Sequence, residues 1–180
     1  MANRTGQPGM AEKRIRAEAV TLSPSGSSAI TWFMLKNRSV PADVILPHLT
    51  YENVADAVVW LTKTFGFVEH YRYGEPGGRV QGAQMHFGEA WIMLNSARPG
   101  RASPARLKHD TQSLTVFLED VDAHCERAKA AGATIVEELN ETGYGERQYG
   151  ALDLEGHHWL FSRHARDVSP EAWGAVIANR

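Results

Sequence analysis

The side chains in this sequence that could do chemistry are few. His48 and His86 stand in the strand-like stretches "VILPHLTY" and "GAQMHF". Imidazole titrates near neutrality, so each is a candidate general base or metal ligand. A catalytic metal site ordinarily takes three protein ligands, more than this pair supplies. His157 and His158 follow Gly156, where a turn puts side chains at a rim. Cys125 is the only cysteine; it falls on a helical stripe and reads as a small core residue. Ser113 and Thr115 lack an evident His-Asp relay to activate a hydroxyl. The glycine-rich "GEPGGRVQG" lacks the Gly-Lys-Ser/Thr ending of a phosphate loop and reads as a hairpin. What remains suits holding a ligand better than transforming one. Aromatic walls supply contact area and a few polar groups fix orientation. The candidate cavity residues are His48, Thr50, Gln84, His86, Trp91, Met93, Ser113, Thr115, Phe117, Gln148, Tyr149 and Trp159.

These residues need elements to carry them. "VILPHLTY" alternates as a strand does, with Leu46, His48 and Thr50 on one face. Asn53 stands at an N-cap, and Val54, Val58, Leu61 and Phe65 form an apolar helical stripe that ends at Gly66. "FVEHYRY", "GAQMHF" and "AWIML" then read as three further strands. The second half repeats the order. "SLTVFL" is a strand, Asp120 a cap, and Val121, Cys125, Ala128 and Ala131 a stripe ending at Gly132; "TIVEEL", "YGALDL" and "HWLFS" are strands. Each half is therefore βαβββ. Gly82, Gly88 and Trp91 match Gly150, Gly156 and Trp159 in order, and this spacing marks an internal repeat. The facing of Gln84, Trp91 and Trp159 depends on register, because a slip of one residue turns a side chain to the other face.

Residues 44–95 and 112–165 are the two units of a single domain spanning 44–165, joined by a Pro-, Ser- and Arg-rich linker at 96–111. Arg98, Arg101, Arg106 and Lys108 are solvated linker charge. Residues 1–43 are an extension, partly disordered, with a strand at 29–35 ("AITWFML"); a translation start at Met34 would leave the repeats untouched. Ser169-Pro170-Glu171 opens a helical tail within 166–180. The net charge of −2 argues against nucleic acid and anionic membranes as partners, and no apolar run reaches the length of a membrane span. A single cysteine and the absence of an export signal fit a cytoplasmic protein.

Two tandem βαβββ units, with "GF" closing the first helix, "AGA" the second and "DLEGHHWLF" near the end, resemble the vicinal oxygen chelate superfamily of glyoxalases, bleomycin resistance proteins and extradiol dioxygenases. The resemblance covers roughly residues 44–164. It implies an α+β fold in which the two units form an open barrel-like sheet around a ligand, and a homodimer. In metal-dependent relatives, ligands would fall at or near Leu46, Ser113, Ile92 or Met93, and Leu160 or a neighbour; none of these positions carries such a ligand, and Trp91–Leu94 and Trp159–Phe161 contain no carboxylate, imidazole or amide. His48, two residues along from Leu46 on the same face, is the one complication. The pattern is thus closest to the metal-free, bleomycin-resistance-like branch. No metal or other cofactor is expected, and the expected partner is a small aromatic or amphipathic molecule, bound for sequestration. The alternatives are a glyoxalase-type lyase or isomerase, or a dioxygenase, with a rebuilt metal site or with His48 or His86 as base. A dimer that binds no ligand is the third reading.

Overall fold

The computed structural model describes Ser39 and residues 45–178. The strand expected at 29–35 lies outside the described residues. Two four-stranded mixed sheets carry the fold, with few helices and no closed barrel. In the first repeat, β1 (His48–Tyr51), α1 (Val54–Phe65), β2 (Val68–Gly74), β3 (Val80–Phe87) and β4 (Ala90–Ser96) give the sheet order β1-β4-β3-β2. After a one-turn helix α2 (Pro104–Leu107) in the linker, β5 (Ser113–Phe117), α3 (Val121–Ala130), β6 (Thr134–Glu141), β7 (Glu146–Leu152) and β8 (His158–His164) repeat it as β5-β8-β7-β6. In each repeat the first strand runs parallel to the last, and the other pairs are antiparallel.

The helix signals work locally as their chemistry requires. The Asn53 side chain accepts from the backbone N–H of Ala55 at 3.1 Å, and Asp120 accepts from that of Ala123 at 2.9 Å, satisfying donors that the first helical turn leaves without partners. Gly66, at φ +80°, ends α1 in the left-handed conformation that glycine adopts without steric cost. The linker is not structureless, since Ser103-Pro104 starts the single turn of α2. The expected C-terminal helix shrinks to one 3-10 turn, Pro170–Trp173, because Gly174 at φ +96° turns the chain out of the helix at once.

The helix-facing sides of both sheets meet in one core. Leu49, Tyr51, Ala83, Met85, Ile92 and Leu94 from the first sheet join Tyr149, Ala151, Trp159 and Phe161 from the second, with the stripes of α1 and α3 between them. Phe65 closes the junction, its ring centroid 4.7 Å from Phe161 and 5.9 Å from Trp159. Hydrogen bonds cross the same junction. Asp153 is buried and accepts from Tyr51 Oη at 2.7 Å and Trp159 Nε1 at 3.2 Å, and from the N–H groups of Glu155 and His157. The Glu155 carboxylate accepts from the N–H groups of Glu52 and Asn53 at 2.6 and 3.0 Å, placing negative charge at the N-terminus of α1, where the helix dipole favours it. His157 Nε2 bonds Thr50 O at 2.9 Å. The "DLEGHH" motif is therefore an inter-repeat clamp.

A buried histidine makes the junction sensitive to acid. His124 on α3 donates from Nε2 to Phe65 O at 3.1 Å, and its Nδ1 faces Tyr149 Oη at 2.6 Å. Burial lowers its pKa, since the charged ring would lose its hydration. The unfolded chain therefore binds this proton more readily than the folded one. The resulting stability is present above the unfolded value of about 6.5 and is lost as pH falls through the lower, folded value. Thermal melts should show a midpoint that drops below pH about 6.5, with a shallower drop in His124→Gln; parallel profiles for the two proteins would refute the assignment.

Candidate functional site

Strand alternation sends a second set of side chains to the face of each sheet turned away from the core. On the first sheet this outer face carries His48, Thr50, Gln84, His86, Trp91, Met93 and Asn95, as the pairings His48 with Met93, Thr50 with Asn95, Gln84 with Met93 and His86 with Trp91 require. On the second it carries Ser113, Thr115, Phe117, Gln148, His158, Leu160 and Ser162, by the pairings Thr115 with Leu160 and Gln148 with Ser162. The structure thus places ten of the twelve candidate residues on outer faces. Tyr149 and Trp159 go the other way. Tyr149 is fully buried against His124, and Trp159 is 1% exposed and bonded to Asp153.

The two tryptophans that look equivalent in sequence therefore occupy opposite faces. The β3–β4 turn has two residues, Gly88 and Glu89, whereas five residues, Asp153 to His157, separate β7 from β8. That difference moves the second tryptophan one residue out of phase, and a one-residue shift reverses facing. The glycines of the two "Gly-Ala" pairs do share a role. Tyr73 lies across Gly82, where a Cβ would collide with its ring, and the Glu137 side chain lies across Gly150, where a Cβ would make a tight contact.

Trp91 is the centre of the first outer face. Its indole lies 5.2 Å from the ring of His70, edge to face, and 4.8 Å from that of His86. His70 Nδ1 meets Gln84 Oε1 at 2.8 Å, so an imidazole, a buried amide and an indole form one contiguous group. His48 is exposed and pairs only loosely, Nδ1 to Asn95 Nδ2 at 3.3 Å. Beside Trp91 opens a cleft of about 520 Å³ between the β3–β4 turn and β5, walled by Pro47, Phe87, Trp91, Leu114 and Phe117 and also lined by Thr115 and Trp159. This volume lies within the range of small-molecule sites.

The face of the second sheet holds a different group. His158 lies between two carboxylates, Nδ1 to Asp110 Oδ2 at 3.7 Å and Nε2 to Glu137 Oε1 at 3.4 Å. Sequence reasoning put His158 at a rim and passed over His70, Asp110 and Glu137. Alternation alone misses His70, because a bulge between Glu69 and Tyr71 breaks the period of β2.

The metal positions implied by the resemblance can be tested against this geometry. Met93 and Leu160 point outward beside His48 and Thr115, and Ser113 offers only a hydroxyl. A thioether, an aliphatic chain and a neutral hydroxyl do not fit a divalent ion that takes imidazole and carboxylate ligands. Among the described residues, no group of three or more His, Cys, Asp and Glu side chains is placed to hold a metal ion.

Comparison with known proteins agrees with this fold. Residues 43–161 match the family model described as glyoxalase/bleomycin resistance protein/dioxygenase superfamily. An uncharacterized protein of Mycobacterium bovis is 30% identical over 139 residues, covering 74% of this chain and 91% of its own. The crystal structure of TioX from Micromonospora sp. ML1 is similar with a TM-score of 0.57 and 36% identity, covering 67% of this chain and 97% of that one. The fosfomycin resistance protein FosX of Listeria monocytogenes, 15% identical with a TM-score of 0.53 over 74% of this chain and 99% of its own, shares the fold.

Proposed function

The chain belongs to the glyoxalase/bleomycin resistance protein/dioxygenase superfamily, and from that premise we propose that it binds a small planar aromatic or amphipathic molecule without a metal and sequesters it. The observation that carries this reading is the setting of Trp91. Its ring contacts two imidazoles, His70 and His86, and lines an apolar cleft of about 520 Å³. A rigid aromatic wall gives a flat ligand large contact area at low entropic cost, and the neighbouring polar groups orient it. Resistance by sequestration would need nothing more from the protein.

The proposal includes a homodimer. β1 and β5 are edge strands, and on β5 Phe117 is 56% exposed, an apolar ring beside unpaired backbone. A second copy that brings its first repeat over this edge would cover Phe117 and close the cleft with outer-face residues from both chains. Sedimentation velocity with an absorbing planar probe examines both points. The probe should co-sediment with a species of twice the chain mass. Absence of co-sedimentation contradicts the binding reading, and co-sedimentation with a single chain contradicts the dimer.

A second reading is supported by His158. Its ring lies near the carboxylates of Asp110 (3.7 Å) and Glu137 (3.4 Å), and its Nε2 is a buried nitrogen with no hydrogen-bond partner among the described residues, which makes it a candidate general base. Under that reading the chain is a metal-free enzyme, and replacing His158 by Gln abolishes turnover while ligand binding persists.

A further inference from the structure

The turn that follows β4 holds two arginines in register. Arg98 and Arg101 exchange backbone hydrogen bonds of 2.9 Å in each direction, across Pro99 and Gly100. Proline at the first central position and a glycine with φ +80° at the second suit a type II turn, which fixes the pair without strain. Just before it, the Ala97 N–H donates to Tyr51 O at 2.9 Å and ties the turn to β1. Residues paired in this way point to one side with Cβ atoms about 5 Å apart, and like charges so placed destabilise each other. A carboxylate between them would offset the repulsion. Among the described residues the ion-paired arginines are Arg72, Arg106 and Arg147, so neither member of this pair has such a partner. Both instead line a cavity of about 380 Å³ with Tyr73, Gln81, Asn95 and Ser96, and no carboxylate lines it. Tyr73, Gly82 and Asn95 stand in one row across β2, β3 and β4, and because Gly82 has no side chain the Tyr73 ring lies over it as a wall.

We infer that this cavity is a second ligand site, for a phosphate monoester held by Arg98 and Arg101. Two guanidinium forks present more N–H donors than one carboxylate accepts, whereas a phosphate monoester offers three terminal oxygens and close to two negative charges at neutral pH. Gln81 and Asn95 add neutral amides to the wall, and the Tyr73 ring offers a flat surface to the ester group. A chain with a net charge of −2 gains here a local, acid-free pair of cations. The site lies four residues along β4 from Trp91, about 13 Å by strand rise. It shares no lining residue with the cleft beside that ring, so it does not depend on the binding reading above. The shared chemistry is the phosphate dianion, carried by an organic ester or by the free ion.

Isothermal titration calorimetry of the full chain with phenyl phosphate, inorganic phosphate and benzoate, at low ionic strength, tests the inference. Phenyl phosphate should bind saturably and more tightly than benzoate, which carries one charge. Arg98→Gln and Arg101→Gln should each weaken it by about tenfold or more, the change expected when one charged hydrogen-bond donor is lost. Lys63→Gln, which removes the same charge from the last turn of α1, and Trp91→Ala should leave it unchanged. Tighter binding of phenyl phosphate than of inorganic phosphate assigns the site to an organic phosphate; equal or tighter binding of the inorganic ion assigns it to free phosphate. Failure of both phosphates to bind, benzoate bound as tightly as phenyl phosphate, or unchanged affinity in either arginine variant overturns the site. An equal loss in Lys63→Gln overturns it as general charge attraction. A loss in Trp91→Ala as large as in the arginine variants puts the phosphate in the other cleft and overturns it too.

Discussion

Replacing Asp153 by Ala should destabilise the protein by about 3–5 kcal/mol, the largest loss expected from a single polar substitution here. The carboxylate is buried and accepts from the Tyr51 hydroxyl, the Trp159 indole and two backbone N–H groups of the 153–157 turn. Alanine leaves all four donors without a partner in a space water does not readily enter. It also frees the turn that carries Glu155 to α1 and His157 to Thr50. Burial and the neighbouring Asp153 push the Tyr51 hydroxyl well above its usual pKa, so it stays a donor throughout the working pH range. Tyr51→Phe removes one of the four bonds and should cost about 1–2 kcal/mol. The double variant should cost less than the sum, because both substitutions break the same bond. Denaturant unfolding of the three variants measures this; strict additivity would mean that Tyr51 and Asp153 do not act together.

The second large effect concerns the ligand. Trp91 is half-buried on the outer face and supports no part of the inter-repeat core, so its removal should spare the fold. Central aromatic residues of binding sites commonly cost 2 kcal/mol or more when cut to alanine, about a thirtyfold loss of affinity. Trp91→Ala should therefore weaken binding of a planar aromatic probe by about thirtyfold or more, with a thermal midpoint close to that of the parent. Trp159→Ala should act on the fold, although this ring also lines part of the cleft. That ring packs against Phe67 at 5.2 Å and bonds Asp153, and its loss should register in stability, by about 3–5 kcal/mol.

The division between these tryptophans marks where sequence reasoning reaches its limit. Both βαβββ repeats and their helix starts are legible, because Asn53 and Asp120 cap by local chemistry and the stripes after them have a helical period. Facing is a tertiary property of register. Trp91 and Trp159 stand at the same interval from a preceding glycine, yet three more residues between β7 and β8 turn the second ring into the core. His70 is hidden for a related reason, since the bulge beside it breaks the alternation that would have placed it with Gln84. The "DLEGHH" stretch is readable as a family mark, but its role requires Tyr51 and Glu52, about 100 residues away, to be brought beside it. The tail reads as a helix because Ser169-Pro170-Glu171 is a good start, and Gly174 ends it after one turn.

The central claim is metal-independent binding at Trp91. The most direct measurement is calorimetric titration of an aromatic probe such as 2-naphthamide into protein dialysed against EDTA, with the parent chain and Trp91→Ala side by side and metal content determined before and after dialysis. The account predicts saturable binding to the parent that chelation leaves unchanged and that Trp91→Ala weakens by about thirtyfold or more. A stoichiometric divalent ion whose removal abolishes binding, or equal affinity in the two proteins, would contradict it.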